Sequence, residues 1–370
     1  MRSKTTLLLI LIILLLGAGF LVRSRFYRPR AVERKLETAT ELIRSGDDRA
    51  AIPLLRELAT RRPDSPRERE AALLLARALT REGDDRAAAE VWAALADAAD
   101  PGQREEAEFH LAREAARRGE PGPIEDYLGR YPGSARIPEA RFARGKLREA
   151  AGDPEGARDD YRRVIQSSGP EAVRADARRR LGEINFDRFF SRRDIPETLP
   201  YTVRPGDSLA AIAVRHRTTA DLIRKMNRLP GDTIHPGQVL RVPAETFSVR
   251  VSKSRNTLTL LYGGEFFKEY PVGTGRDNLS PAGEFTIVTK LIDPPWFHRG
   301  EVIPPYDERN ILGTRWMGFR DPYAAYGIHG TTQPETVGTA SSDGCVRMRN
   351  PDVEELFSFL PRGTRVVIEE

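Results

Sequence analysis

The sequence predicts a multidomain chain with four parts. These are an N-terminal membrane anchor helix, an all-α repeat solenoid, a small strand–helix–helix–strand (βααβ) module and a mostly-β C-terminal domain. Three observations carry this. An uncharged run of Leu and Ile opens the chain, a six-residue word recurs unchanged, and the apolar period switches to two at Phe247. A length of 370 residues suits two to three folded domains. With 39% hydrophobic and 31% charged residues there is ample material for buried cores, which excludes a chain disordered throughout, a collagen-like fibre and a multi-pass membrane protein. One cysteine excludes an intrachain disulfide framework and a four-cysteine metal site. The five histidines are scattered, with no HxxxH pair to suggest a helical zinc site, and the thiol–imidazole chemistry set out below needs no cofactor.

Residues 1–30 form the anchor. Thr5 to Val22 is 18 residues without a charge. At ~1.5 Å per residue it spans ~27 Å, enough for a bilayer core. Six basic residues and no acid fall within 1–30, whereas 244–370 holds 14 basic and 17 acidic residues. The basicity sits beside the apolar run, which argues for contact with a membrane surface and against a nucleic-acid partner. Gly17-Ala18-Gly19 lies inside the apolar run and makes a poor cleavage site, favouring an uncleaved signal-anchor. Both flanks are basic, so charge alone leaves the orientation open.

Residues 31–190 read as helical repeats. Gly46-Asp47-Asp48-Arg49-Ala50-Ala51 recurs word for word at Gly83 to Ala88, with weaker echoes at Gly119-Glu120 and Gly152-Asp153. Ala51, Leu54, Leu55, Leu58 and Ala88, Val91, Trp92, Leu95 are helical stripes, and Ala72, Leu75, Ala76, Leu79 has the same phase. Helix pairs joined at a Gly-Asp turn make an α-solenoid, and this one resembles tetratricopeptide repeats. Two roles fit: a concave surface for a protein partner, or a spacer that lifts the C-terminal parts off the membrane. Trp92, Tyr161 and His110 are expected to be structural.

Residues 200–244 form the small module. Tyr201-Thr202-Val203 reads as a strand, and Asp207 or Ser208 caps a helix carrying Leu209, Ile212 and Ala213. Thr218-Thr219 opens a second helix with Leu222, Ile223 and Met226 facing inward, and Val239 to Pro243 is a closing strand. The succession Tyr201-Thr-Val, Gly206-Asp-Ser-Leu209, Thr218-Thr219, Asn227, Leu229, Ile234, Gly237-Gln238 and Val242-Pro243 resembles a LysM module along its whole length. The resemblance implies binding of N-acetylglucosamine-containing glycans, chiefly peptidoglycan. The implied groove involves Gly206, Asp207, Ser208 and Leu209 on one side and Leu229 to Ile234 on the other.

Residues 247–370 alternate with period two. Phe247–Val251, Thr257–Tyr262, Glu265–Val272, Gly283–Val288 and Thr364–Ile368 read as strands, with Gly263-Gly264 as a hairpin turn. One helix is expected, with Asn350 as N-cap and Pro351 at its first position. The chemistry concentrates at Ile328-His329-Gly330-Thr331 and Ser341-Ser342-Asp343-Gly344-Cys345-Val346-Arg347-Met348. A thiol attacks carbonyls as the thiolate, and an adjacent imidazole can take its proton and return it to a leaving amine. His329 lies 16 residues before Cys345, a separation that a strand and loop can close. Backbone N–H groups at Gly344 are candidate oxyanion donors. Ser341, Ser342 and a backbone carbonyl at Gly330 are candidates to orient the imidazole. A lone cysteine is usually a small buried hydrophobe, but a polar glycine-containing loop is an uncommon place for one.

This segment resembles an L,D-transpeptidase catalytic domain of the YkuD type along its full length. The resemblance rests on His329-Gly-Thr331, Ser342-x-Gly-Cys-Val-Arg-Met348, Val272-Gly-Thr-Gly275, Ser280-Pro-Ala-Gly-Glu-Phe285 and Gly363-Thr-Arg-Val-Val-Ile368. It implies a peptidoglycan transpeptidase with Cys345 as nucleophile and His329 as acid and base. Arg347 matches the motif arginine and is a candidate for a substrate carboxylate. Ser342, Tyr326 and Trp316 are further candidates for the substrate cleft. Asp343 stands where some members carry a second histidine, and its charge is expected to raise the thiol pKa. The proline-rich stretch Asp293 to Tyr306 suits a lid or a rigid surface loop. Two other functions compete with transpeptidation. One is a same-family carboxypeptidase or amidase that hydrolyses stem peptides or wall-linked protein. The other is a non-catalytic envelope scaffold. All three place the chain in the cell envelope, anchored in the cytoplasmic membrane with residues 31–370 facing the wall.

Overall fold

The computed structural model describes residues 28–59, 65–97, 100–191, 195–298 and 300–370. The expected anchor, Thr5 to Val22, lies outside the described residues. Among those described, no helix is long and apolar enough to cross a membrane. The chain forms two compact units, Met1–Pro170 and Glu171–Glu370.

The first unit is built from helices α1 (Arg28–Arg44), α2 (Asp48–Leu58), α3 (Pro66–Glu82), α4 (Asp85–Ala96), α5 (Pro101–Arg117), α6 (Gly122–Arg130), α7 (Ile137–Ala150) and α8 (Pro154–Ile165). The repeated word has a physical meaning at each residue. Its glycine takes the left-handed conformation that ends a helix, at Gly46 (φ +85°) and Gly83 (φ +79°), and so do the echoes Gly119 and Gly152. The first aspartate caps the next helix: Asp47 accepts from the Ala50 N–H, Asp84 from Ala87 and, in a weaker echo, Asp153 from Gly156. The second aspartate reaches an arginine on the following helix, Asp48 to Arg81 at 2.6 Å and Asp85 to Arg117 at 2.8 Å. The expected stripes are the core: Ala51, Leu55, Ala72, Leu75, Ala76, Leu79, Ala88, Trp92 and Leu95 are buried in one cluster. Trp92 stacks on His110 with ring centroids 4.3 Å apart, and burial pulls that imidazole down to about 4. Both residues are structural, as expected.

The second unit begins earlier than the periodicity suggests. Its first helix, α9 (Glu171–Phe190), falls within the span read above as repeats but packs on strand β5 (Glu265–Pro271). The reason is a run of aromatics: Phe189 is 1% exposed and meets Phe247, Tyr262 and Phe267 edge-on at 5.5–5.7 Å. Asn185 donates to the carbonyls of Phe266 and Phe267, so the helix also covers the free edge of β5.

The small module follows, with β1 (Thr198–Thr202), α10 (Leu209–Arg215), α11 (Ala220–Met226) and β2 (Val239–Pro243), and β1 pairs antiparallel with β2. Ser208 caps α10 and Thr219 caps α11. The inward residues of α11 divide between two cores. Ile223 enters the module's own, while Leu222 and Met226 enter the core of the large sheet.

That sheet has eight strands in the order β13-β11-β10-β7-β14-β3-β4-β5. They are β3 (Phe247–Ser252), β4 (Thr257–Tyr262), β5, β7 (Gly283–Ile292), β10 (Arg315–Phe319), β11 (Gly327–His329), β13 (Val346–Arg347) and β14 (Arg365–Glu369). The pairs β14–β3 and β11–β13 are parallel and the others antiparallel. Two ribbons flank it: β6 (Thr274–Gly275) with β12 (Ala340–Ser342), and the hairpin β8 (Trp296–His298) with β9 (Glu301–Ile303). Gly263 and Gly264 both hold positive φ in the expected tight turn. The final helix, α12 (Asn350–Phe359), packs against β10. Its N-cap is Arg349, not Asn350, whose side chain is engaged elsewhere. The two sheet edges therefore differ: β5 is covered by α9, and β13 carries the chemistry.

Phe189 joins α9 to the sheet through three aromatic contacts. Phe189→Ala should destabilise the second unit by about 3–5 kcal/mol. Urea unfolding followed by tryptophan fluorescence is the check, since Trp296 and Trp316 both lie in this unit.

Candidate active site

Three neighbouring strands assemble the site. His329 on β11 sits opposite Trp316 on β10 and opposite Arg347 on β13. Cys345 immediately precedes β13, two residues before Arg347. Side chains alternate along a strand, so Cys345, Arg347 and His329 share one face of the sheet. All three line one cavity of 580 Å³, with Trp316, Asp343 and the β8 residues Trp296, Phe297 and His298. Trp316 stacks on His329 at 5.7 Å and Trp296 on His298 at 4.2 Å.

The imidazole is buried and oriented. His329 is 2% exposed, and its Nδ1 lies 2.6 Å from the Gly330 carbonyl. A carbonyl only accepts, so Nδ1 carries the hydrogen and Nε2 is left as the basic nitrogen. Of the orienting partners considered above, the backbone carbonyl is the one in place. The peptide that carries it is pinned by Asn350, whose Oδ1 accepts from the Thr331 and Thr314 N–H groups, both at 3.2 Å. A side chain at Gly330 or Gly313 would strike that oxygen at 2.2 Å, which explains glycine at both positions. An asparagine ahead of a proline reads as a helix cap in sequence, and nothing local signals that it serves two distant loops.

The thiol is held by a clasp of small residues. Ser342 is fully buried; its hydroxyl donates to the Cys345 carbonyl at 2.7 Å and accepts the Gly344 N–H at 3.1 Å. Two expectations change accordingly. The Gly344 N–H, expected to be an oxyanion donor, is already taken, and the Ser342 hydroxyl is spent within the loop although the residue borders the cavity. Ser280 adds a second clasp, accepting from the Gly275 N–H at 2.8 Å and donating to the Gly344 carbonyl at 2.9 Å. Gly344 has φ +114°, and a Cβ there would meet the Tyr326 ring at 2.5 Å. Tyr326 thus packs over the loop and is not among the residues lining the cavity.

Electrostatics set the resting state. Burial pushes the Cys345 thiol up to about 11; a Gly327 backbone hydrogen bond and the Arg347 charge oppose this, and Asp343 adds to it. The expected direction of the Asp343 effect holds, although that carboxylate is paired with Arg276 at 2.5 Å. Burial pulls His329 down to about 4, against the carbonyls of Gly330 and Leu312, and Arg347 lowers it further. The pair therefore rests as thiol and neutral imidazole. Arg347 is itself only 8% exposed, and its Nε has no hydrogen-bond partner among the described residues. Those residues include no group of three His, Cys, Asp or Glu side chains able to hold a metal.

The module's expected glycan residues lie apart from this cavity, and their side chains are largely engaged. Asp207 accepts from the Tyr201 hydroxyl at 2.6 Å and the Arg204 N–H at 2.9 Å. Ser208 caps α10, Leu209 is 2% exposed in the module core, and Leu229 and Ile234 pack against that core. Gly206 turns the loop at φ +83°.

Two measurements follow from this geometry. Iodoacetamide alkylation of Cys345 should speed up roughly tenfold per pH unit above neutrality and level off only near pH ~11, because reactivity follows the thiolate fraction. A plateau already present at pH 6 would mean a preformed thiolate–imidazolium pair instead. Asn350→Ala strands two backbone donors and should cost about 1–3 kcal/mol in urea unfolding.

A family model described as the L,D-transpeptidase catalytic domain (YkuD) matches residues 246–368, and the LysM domain model matches 201–243. A putative L,D-transpeptidase YkuD of Bacillus licheniformis is 36% identical over 178 residues, covering 46% of this chain and 98% of the relative. The putative L,D-transpeptidase YqjB of Bacillus subtilis is 38% identical over 133 residues, covering 35% of this chain and 74% of its own. Among solved structures, an L,D-transpeptidase from Mycobacterium smegmatis aligns at 16% identity and TM-score 0.30, over 36% of this chain and 64% of that one. Identity at this level along almost the whole of a relative is more than a shared motif can give, and the chain belongs to the YkuD-type L,D-transpeptidase family, with a LysM domain beside its catalytic domain.

Proposed function

We propose that the chain cross-links peptidoglycan by L,D-transpeptidation through a Cys345 acyl-enzyme. The observation that carries this reading is the His329 Nδ1 to Gly330 carbonyl bond, which makes Nε2 the basic nitrogen of a ring that lines the same cavity as Cys345. Nε2 takes the thiol proton as sulfur attacks the carbonyl between the stem's diamino acid and its terminal D-alanine. The C–N bond breaks, and D-alanine leaves with the proton returned by His329. An amine of a second stem then attacks the thioester, His329 takes its proton, and the thiol is restored. Because the thiol rests protonated, attack and proton transfer are coupled and no standing thiolate is required.

Ser342 already holds the Gly344 N–H, so the oxyanion is assigned to the N–H of Cys345 itself. Arg347, buried and with an unused Nε, is assigned to a stem carboxylate. The β8–β9 hairpin forms a wall of the cavity, and Phe297, one of its lining residues, is 72% exposed. Closing over an acyl-enzyme, it favours an amine over water. The LysM module holds the glycan, and the basic-flanked run Thr5 to Val22 anchors the chain in the cytoplasmic membrane with the remainder facing the wall. The helical repeats offer a surface for a protein partner.

Incubation with tetrapeptide-containing muropeptides, read by mass spectrometry beside Cys345→Ala, tests the reading. A cross-linked dimer with D-alanine lost is expected from the native chain, and no acyl-enzyme from the variant. Tripeptide alone would make the enzyme a hydrolase, and turnover by Cys345→Ala would remove the nucleophile assignment.

A further inference from the structure

The LysM module is fused to the catalytic sheet. Leu222 and Met226 of α11 are buried in the sheet's core, and the Thr219 hydroxyl donates to the Ser358 carbonyl of α12. A cavity of 820 Å³ lies at this fixed seam, with no residue in common with the Cys345 cavity. Its volume is in the range of small-ligand sites, roughly 300–1,000 Å³. None of its lining residues belongs to the loops at Gly206–Leu209 and Leu229–Ile234, although Ala210 directly follows the first.

The lining is one-sided in charge. Arg217, Lys290, Arg362 and Arg365 border it, and no carboxylate does. Glu284 pairs with Arg365, and Lys290 gives two of its three donors to the Phe357 and Leu360 carbonyls at 2.6 and 2.5 Å. Arg217 and Arg362 have no ion-pair partner among the described residues. Thr218 supplies an independent sign. It is 5% exposed, and its hydroxyl has no hydrogen-bond partner among the described residues. Val214 and Phe247 add apolar wall. Two unpaired guanidiniums and the Lys290 ammonium beside an apolar wall match a carboxylate-bearing peptide with short alkyl side chains.

We propose that this seam is a second peptide subsite, which takes the acidic stem peptide of the strand held by the module while Cys345 works on another stem. The inference rests on the peptidoglycan reading above. The two unpaired arginines are exposed, so replacing them leaves the core intact.

Equilibrium dialysis of the full chain carrying Cys345→Ala against a labelled synthetic stem tetrapeptide tests it. Two equivalents should bind, and only one after Arg217→Gln and Arg362→Gln are added. A tetrapeptide with its carboxylates amidated should also lose the second site. One equivalent in both chains overturns the proposal. So does uptake of inorganic phosphate at the seam without a second peptide, which would assign the site to a phosphate-bearing ligand. Acylation of native Cys345, read separately by mass, keeps the two readings apart. Two bound equivalents without acylation leave the seam site standing and remove the catalytic assignment, whereas acylation with one equivalent does the reverse.

Discussion

A single hydrogen bond, from His329 Nδ1 to the carbonyl of the next residue, is the constraint on which the site depends. It fixes which ring nitrogen is basic, and it does so in a place where water cannot. The bond requires the Gly330 peptide to face one way, and Asn350 enforces that by accepting from Thr314 and Thr331 on either side. The helix that presents Asn350 packs on β10, and β10 pairs with β11, which carries His329. A buried polar network of this kind is rigid because each member is satisfied by the others.

The thiol is positioned by the opposite means. No long side chain holds it; instead Ser342 and Ser280 tie three backbone groups of the loop together, and glycine lets the loop pass beneath Tyr326. The consequence is a thiol held in one place by the loop, whose burial pushes its pKa up and favours the protonated form. Arg347 is the exception to this economy of satisfied groups. A buried guanidinium with an unused Nε is costly unless something completes it. It lines the same cavity as the thiol. The seam between LysM module and sheet repeats the pattern at lower cost, with exposed arginines around an orphaned threonine.

The repeat region shows how directly a short word can specify geometry. Glycine ends one helix, the first aspartate starts the next, and the second aspartate reaches across to the following helix. Each role depends on backbone conformation or a local hydrogen bond, so identical words give identical turns. Glu171–Phe190 has the same helical period and lacks that word at its start. Its affiliation is decided by Phe186, Phe189 and Phe190 finding the sheet's aromatic cluster, a contact between residues about 60 to 170 positions apart.

The local pieces are legible in the linear chain: the helical stripes, the capped helices of the module, the period-two strands and the pairing of His329-Gly-Thr with the cysteine loop. Those rest on spacing and on chemistry within a few residues, which a linear reading can see. Tertiary structure alone decided that Asn350 serves the histidine loop instead of its own helix, that the Gly344 N–H is consumed by Ser342, and that Leu222 and Met226 belong to a different core from Ile223. In each case a donor, acceptor or apolar face had both a local and a distant partner available. Which one wins is set by burial, because a group withdrawn from water must be satisfied by whatever the fold brings beside it.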